Sequence, residues 1–382
     1  MRWQIAVSSG LNWTGSSTTV SYTHLKSIKK TTLVDFATYI GVIIAFIIVN
    51  TLKNDGALTR SFTGQLIPIC CYVVMAISLN LTVGVLGELS LGHAGFMSVG
   101  AFSGIIAAMS LQTVIPSPVL RLIIAIIVGA FFAAIAGVII GIPVLRLRGD
   151  YLAIVTLAFG EIIKEVINCL IVGVDSNGLH VIFNAFGSKS VSDLNLLEGG
   201  VMIIKGAQGA TGVKAISTFT AGFILIMITL VIVLNLIRSR SGRAIMALRD
   251  NRIAAESVGI NITKYKLMAF VISSALAGAA GALYGLNFSS LMSSKFNFNT
   301  SILILVYVVL GGLGNIWGSI ISAVILTILP EALRGFEDYR MLIYAIVLIL
   351  VMLATNSPQI KNLVEKIIPR RKKGEEADEE AA

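Results

Sequence analysis

Apolar windows of about 20 residues, divided by short polar stretches, set the pattern of this chain. Backbone amides and carbonyls cannot be left unpaired in hydrocarbon, so windows of that length predict membrane-spanning helices. They fall at 34–52, 64–83, 86–109, 119–142, 151–172, 216–237, 265–288, 300–313, 316–330 and 340–356. The pattern predicts an all-α integral membrane protein, a polytopic bundle of about ten transmembrane helices.

Lys and Arg flanking the windows orient them, because positive charge accumulates on the cytoplasmic side of span ends. Lys26, Lys29 and Lys30 place the N-terminus inside; alternation then puts Arg146 and Arg148 inside, 173–215 outside and the basic loop 238–264 inside. If Lys361, Lys366, Arg370, Arg371, Lys372 and Lys373 are also cytoplasmic, an even number of crossings must follow that loop. Splitting 300–330 at GGLGNIWG (311–318) supplies the fourth, since its glycines permit a tight turn. The first half is short for a full crossing, so a broken or re-entrant pair near 300–330 is the alternative.

Three regions result: a polar N-terminal tail (1–33) without the core and cleavage pattern of a signal peptide, a transmembrane domain (34–358), and a charged tail (359–382). The external segment 173–215 is polar and Gly-rich, with GAQGATG at 206–212. It reads as an outer cap or as a merely tolerated loop.

Composition agrees: of 382 residues, 56% are hydrophobic and only 13% charged, outside the range of soluble domains. Mean hydropathy is +0.89. The net charge of +9 does not indicate nucleic acid, because the basic residues cluster beside apolar windows. Cys70, Cys71 and Cys169 lie inside apolar windows without metal-ligand spacing and read as small hydrophobes. No GxxxxGK[ST] phosphate cradle occurs, and GGLGNIWG misses the dinucleotide-binding register, so the chain alone is expected neither to hydrolyse ATP nor to carry a cofactor.

The loop RSRSGRAIMALRDNRIAAESVGINITKYK (238–266) holds seven Lys or Arg against two acids. Good helix formers predict one helix from Ala244 to Val258, ended by Gly259. Ile245, Leu248, Ile253 and Val258 give it an apolar face, and Arg243, Arg249, Asp250 and Arg252 a charged one. Such a helix suits docking into a partner's groove; the other reading is an ordinary basic loop that fixes topology.

Within that loop, AAESVG (254–259) resembles the Glu-Ala-Ala loop of ABC importer permeases, which contacts the ATPase subunit. Ala254, Ala255 and Gly259 match; Ile253 stands where the Glu is expected, leaving Arg249, Asp250, Arg252 and Glu256 as polar substitutes. SLNLTVGVLGELSLGHAGFMSVGAF (78–102), LRLRGDYLAIVTLAFGEI (145–162), GRAIMALRDNRIAAESVGIN (242–261) and LGGLGNIWGSIISAVILTILPEALR (310–334) resemble, in order, the high-affinity branched-chain amino-acid permease family, most closely its LivM-type branch. The resemblance implies one permease subunit of a bacterial inner-membrane ABC importer for Leu, Ile or Val. It further implies a second homologous permease, two cytoplasmic ATP-binding subunits and an external solute-binding protein as partners. Urea, a short amide or another amino acid as cargo, an ATP-independent secondary transporter, and a membrane scaffold stay open as alternatives.

Polar residues inside the windows are the candidates for the substrate pathway: Glu88, Ser90, His93 and Glu161. A carboxylate at membrane depth costs several kcal/mol unless hydrated, paired or protonated, so Glu88 either faces the pathway or pairs with a neighbouring helix. On one continuous helix over 84–104, Gly84, Glu88, Gly92 and Gly95 would share an arc, with His93 opposite beside Gly100 and Gly104. Gly100 and Gly104 carry the small-xxx-small spacing of packed transmembrane interfaces. His93 reads as a hydrogen-bonding helix contact, and Glu161 as the partner of Lys164 three residues on. No catalytic constellation or metal-ligand cluster is present in the pattern.

Overall fold

A computed structural model describes residues 17–56, 59–112, 114–145, 147, 149–175, 178–184, 194, 200–333 and scattered positions from 339 to 349. Arg146, Arg148, most of the 340–356 window and the charged tail lie outside the described residues.

The first of two units, residues 1–57, contributes helix α1 (Ser17–Asn54), which begins within the stretch expected as a polar tail. From Phe36 on, Ile40, Ile43, Ile44, Ile47 and Ile48 are exposed apolar side chains, as a lipid-facing span requires.

The second unit, residues 58–382, holds the rest. Its helices are α2 (Arg60–Asn80), α3 (His93–Ser110), α4 (Pro118–Val144), α5 (Asp150–Asn168), α6 (Phe219–Arg238), α7 (Arg240–Asp250), α8 (Arg252–Ser257), α9 (Ile262–Gly285), α10 (Phe298–Gly311) and α11 (Ile316–Ala332). Six helices among the described residues are long and apolar enough to cross a membrane. The count of ten therefore includes α5, α10, α11 and the 340–356 window, none of which is among those six.

Short polar side chains set several helix starts by accepting the first free amides. Thr218 accepts from Ala221 N, Ser239 from Gly242 N, Asn251 from Ala254 N, Asn261 from Lys264 N, Asn297 from Thr300 N and Asn315 from Gly318 N. The Asn251 cap corrects the single helix expected over 244–258: Asn251 leaves helical geometry (φ −152°, ψ 104°) and divides α7 from α8. Gly259 does end α8 as expected, at φ 83°. Its amide bonds Glu256 O while Ile260 N bonds Ala255 O, the paired bonds of a Schellman motif.

The segment expected as an external cap or loop is partly ordered as strands. β1 (Leu170–Asp175), β2 (Gly178–Phe183), β3 (Val201–Lys205), β4 (Ala210–Thr211) and β5 (Ser290–Leu291) form one sheet in the order β2-β1-β3-β4-β5. Every pairing is antiparallel, with a bulge between Val172 and Gly173. The 151–172 window stops at Asn168 because the chain turns into β1, whose edges pair with β2 and β3. β5 follows α9 and joins β4, so this sheet marks one end of the bundle.

The core lies where α3, α4 and α9 meet. A Cβ on Gly100 would stand 2.1 Å from Gly278 O, and one on Gly281 2.0 Å from Met97 O, so only glycine lets these backbones touch. Gly104 faces Ala282, as the small-residue spacing predicts. Cys70 and Cys71 are buried with their thiols unbridged, consistent with their reading as small hydrophobes.

Candidate functional site: paired helix breaks at the basic-loop end

The 86–109 window is not one helix. After α2 the chain widens into a π-helical turn (Leu81–Val85), leaves helical geometry over 86–92 and restarts at His93. The common arc expected for Gly84, Glu88, Gly92 and Gly95 therefore does not exist. Gly87, at φ 79°, makes the turn that a continuous helix excludes.

A second break lies beside the first. α10 ends at Gly311, Gly312 (φ 91°) and Gly314 (φ 82°) reverse the chain, and α11 begins at Ile316. The split expected at GGLGNIWG is thus present. With 14 and 17 residues, the two helices extend about 21 and 26 Å, short of the ~30 Å hydrocarbon core.

Asn80 joins the breaks: its Nδ2 donates to Ser319 Oγ at 2.9 Å, and Gly314 N donates to its Oδ1 at 2.8 Å. Gly84 is so close to this turn that a Cβ there would stand 2.2 Å from Gly314 N. Non-helical backbone at this depth persists because side chains and neighbouring helices satisfy it. Leu91 N donates to Thr156 Oγ1 of α5 at 3.1 Å, Ala94 N to Ser301 Oγ of α10 at 3.2 Å, and Glu88 N to Thr82 O at 3.1 Å.

Glu88 is paired: its Oε1 meets the Lys266 ammonium, one turn into α9, with side-chain exposures of 15% and 6%. Of the two readings open for Glu88, pairing with a neighbouring helix is the one observed. Lys266 closes the basic stretch in sequence but folds inward, since an unpaired carboxylate in this enclosed site would be costly. His93 makes the helix contact expected of it, with Nε2 2.8 Å from Ser78 Oγ. Thr82 Oγ1 donates to Ser273 Oγ at 2.8 Å, extending the polar chain from α2 to α9. Ser90 differs: it is 1% exposed, and its Oγ has no hydrogen-bond partner among the described residues.

Glu161 lies on α5, past the middle of the helix toward the sheet. It bonds Lys164, as the spacing predicts, and its Oε1 accepts from Phe298 N at 3.2 Å, which tethers the start of α10. Glu88, Ser90 and His93 thus lie along one broken segment, while Glu161 sits on α5 next to Gly160, which packs against Gly92 and Gly95 of that segment.

In the basic loop the expected single apolar face divides. Ile245 and Leu248 are buried, whereas Ile253 (81% exposed) and Val258 (75%) face outward. Ala255 packs with Leu248 and Ile262, while Ala254, Glu256 and Gly259 are exposed. Arg243 and Asp250 are exposed, Arg252 is half-buried, and Arg243 Nη1 donates to Arg238 O at 3.1 Å. Arg249 is exposed as well, yet its Nη1 reaches the body and donates to Gly84 O at 2.6 Å.

Hydropathy gives no warning of Asn80, Ser78, Thr156, Ser273, Ser301 or Ser319, since each fits inside an apolar window. The one legible signal was Lys266, a charge just inside the 265–288 window.

Helices apolar enough to span, a second set broken and knotted together by buried polar side chains, and a basic loop bonded to the breaks describe a polytopic membrane protein. The chain belongs to the family described as branched-chain amino acid transport system / permease component, which matches residues 61–352. It is 34% identical over 296 residues to the high-affinity branched-chain amino acid transport system permease protein LivM of Salmonella typhimurium, covering 74% of this chain and 66% of that protein. LivM of Escherichia coli is 33% identical over 291 residues with the same coverages. LivH of Salmonella typhimurium is 26% identical over 301 residues, covering 74% of this chain and 88% of that protein. The alignment thus spans just under two thirds of the LivM relatives. No solved structure matches the chain.

Proposed function

We propose that this chain is one permease subunit of an ATP-binding cassette importer that carries branched-chain amino acids across a bacterial inner membrane. The observation that carries the reading is the family match over 61–352, with LivM relatives aligned over most of this chain. LivH-type similarity supports a second homologous permease as partner. The missing phosphate cradle supports hydrolysis on two separate cytoplasmic subunits, and the sheet is the surface on which an external solute-binding protein would deliver its cargo. The basic-loop end is cytoplasmic in this reading, as are both termini.

The exposed loop residues Arg243, Asp250, Ala254, Glu256 and Gly259, with Arg252 beside them, form the ATPase-facing surface, and Ile253 fills the expected acidic position with an apolar contact. Within the pathway, Ser90 offers a buried hydroxyl to the cargo, Glu88 and His93 hold the broken segment through Lys266 and Ser78, and Glu161 fixes the start of α10. Broken helices that expose backbone at membrane depth are a recurring way to build a transport site.

The test is reconstitution of the chain with its co-purifying subunits in proteoliposomes, measuring L-leucine uptake with and without ATP. ATP-dependent uptake competed by isoleucine and valine is expected. Uptake that ignores ATP but follows a proton gradient would move the chain to the secondary transporters, and competition by urea alone would change the cargo.

A further inference from the structure

Arg249 is the α7 side chain that bonds the first break and lies beside the second. Ile245 and Leu248 anchor α7 to the body through its buried face, and Arg249 leaves the next position to cross the gap. Its stem lies over Gly87, where a Cβ would stand 2.9 Å from Arg249 Cγ, and its head reaches Gly84 O. Gly84 belongs to the last turn before the break, where carbonyls have lost their helical donors, so a guanidinium finds an acceptor there. The same Nη1 lies 3.6 Å from where a Cβ of Gly314 would be, which brings the second break within reach.

We infer that Arg249 is a positioning residue that ties the basic-loop helices to the paired breaks, so that movement of α7 and α8 shifts the segment 86–92 and the turn 311–315 together. This rests on the importer reading for what moves the loop, but the tie itself is a property of this chain. Arg249 stays on the exposed side of α7, and only its guanidinium end is committed to Gly84. A charge-assisted bond to a carbonyl is directional and short, so a displacement of α7 is transmitted without slack. Asn80 then carries it from Gly314 to Ser319 and α11, and the Glu88 to Lys266 pair carries it to α9.

Two measurements test the tie. In the reconstituted complex, Arg249→Ala is expected to lower L-leucine moved per ATP hydrolysed by about 5-fold or more, the lower range of coupling effects between linked sites. The complex should keep its subunits, and Arg249→Lys should recover part of the ratio. An unchanged ratio in Arg249→Ala overturns the inference, as does loss of the ATP-hydrolysing subunits, which would make Arg249 a docking contact. In the chain alone in detergent micelles, amides of 84–92 should exchange with deuterium faster in Arg249→Ala than in the unaltered chain, while those of 270–285 do not change. Equal exchange at 84–92 overturns the tie whatever transport does. Faster exchange in a protein whose unaltered form shows no ATP-driven leucine uptake would keep the tie and remove the importer reading.

Discussion

Two places in this molecule bring backbones into contact, and they do so by opposite means. In the seam between α3, α4 and α9, Gly100, Gly278 and Gly281 remove side chains so that intact helices touch. At the basic-loop end, Gly84 and Gly314 also touch, but there the helices are broken and Asn80, Glu88, Lys266 and Arg249 hold the pieces. The seam relies on van der Waals contact over intact helices, which has one good arrangement. The breaks rely on a few directional bonds, which can be exchanged. The seam is thus suited to remain fixed while the breaks move.

The largest effect is expected from damaging the seam. Gly278→Leu would drive a side chain into Ala133 Cβ at 2.3 Å and Gly129 O at 2.6 Å from its first atom. Membrane accumulation and monodispersity in fluorescence-detected gel filtration should be lost, and a normal profile would show that the seam yields.

Next comes the ion pair. Lys266→Met leaves the Glu88 carboxylate enclosed without its cation and should destabilise the chain by about 3 kcal/mol, whereas Lys266→Met with Glu88→Leu should restore most of the loss. Thermal aggregation in detergent ranks the two, and a double variant no better than the single one would count against the pairing. Asn80→Ala strands Gly314 N and should cost about 1–3 kcal/mol. Its larger signature is in transport, where leucine uptake should fall more than protein yield.

The smallest effect on stability belongs to Ile253→Glu. The side chain is 81% exposed, so the melting midpoint should move by no more than the equivalent of about 0.5 kcal/mol. Retention of the ATP-hydrolysing subunits on affinity-tagged protein should nevertheless change, because the substitution installs the acidic residue that the loop pattern expects. An unchanged complex would remove Ile253 from the ATPase-facing surface.

Much of this was legible beforehand. Window lengths gave the helices because burial of backbone in lipid admits little else, and the glycines of GGLGNIWG gave the second break because two of them take positive φ. The i, i+3 spacing gave the bond of Glu161 to Lys164, since neighbours on a helix face need no tertiary information. The first break was not legible: LTVGVLGELSLGHAGF has the apolar content of a helix, and what interrupts it is satisfaction of its backbone by Thr156 and Ser301, 65 and 207 residues away in the chain. The division of 238–264 into two helices was written in Asn251, a cap concealed among good helix formers. The strands of 173–215 needed β5 from beyond α9 to complete their sheet.

The sequence by itself determined that this chain is a polytopic membrane protein with a basic loop. Length, hydropathy and charge are properties of neighbouring residues and act through the membrane as a common solvent. Only the tertiary structure decided that Glu88 answers Lys266, that His93 answers Ser78, that the exposed Arg249 reaches Gly84, and that the Ser90 hydroxyl finds no partner among the described residues. Each of those outcomes depends on which polar group arrives opposite from another helix, and in an apolar site a polar atom is costly or harmless according to that arrival alone.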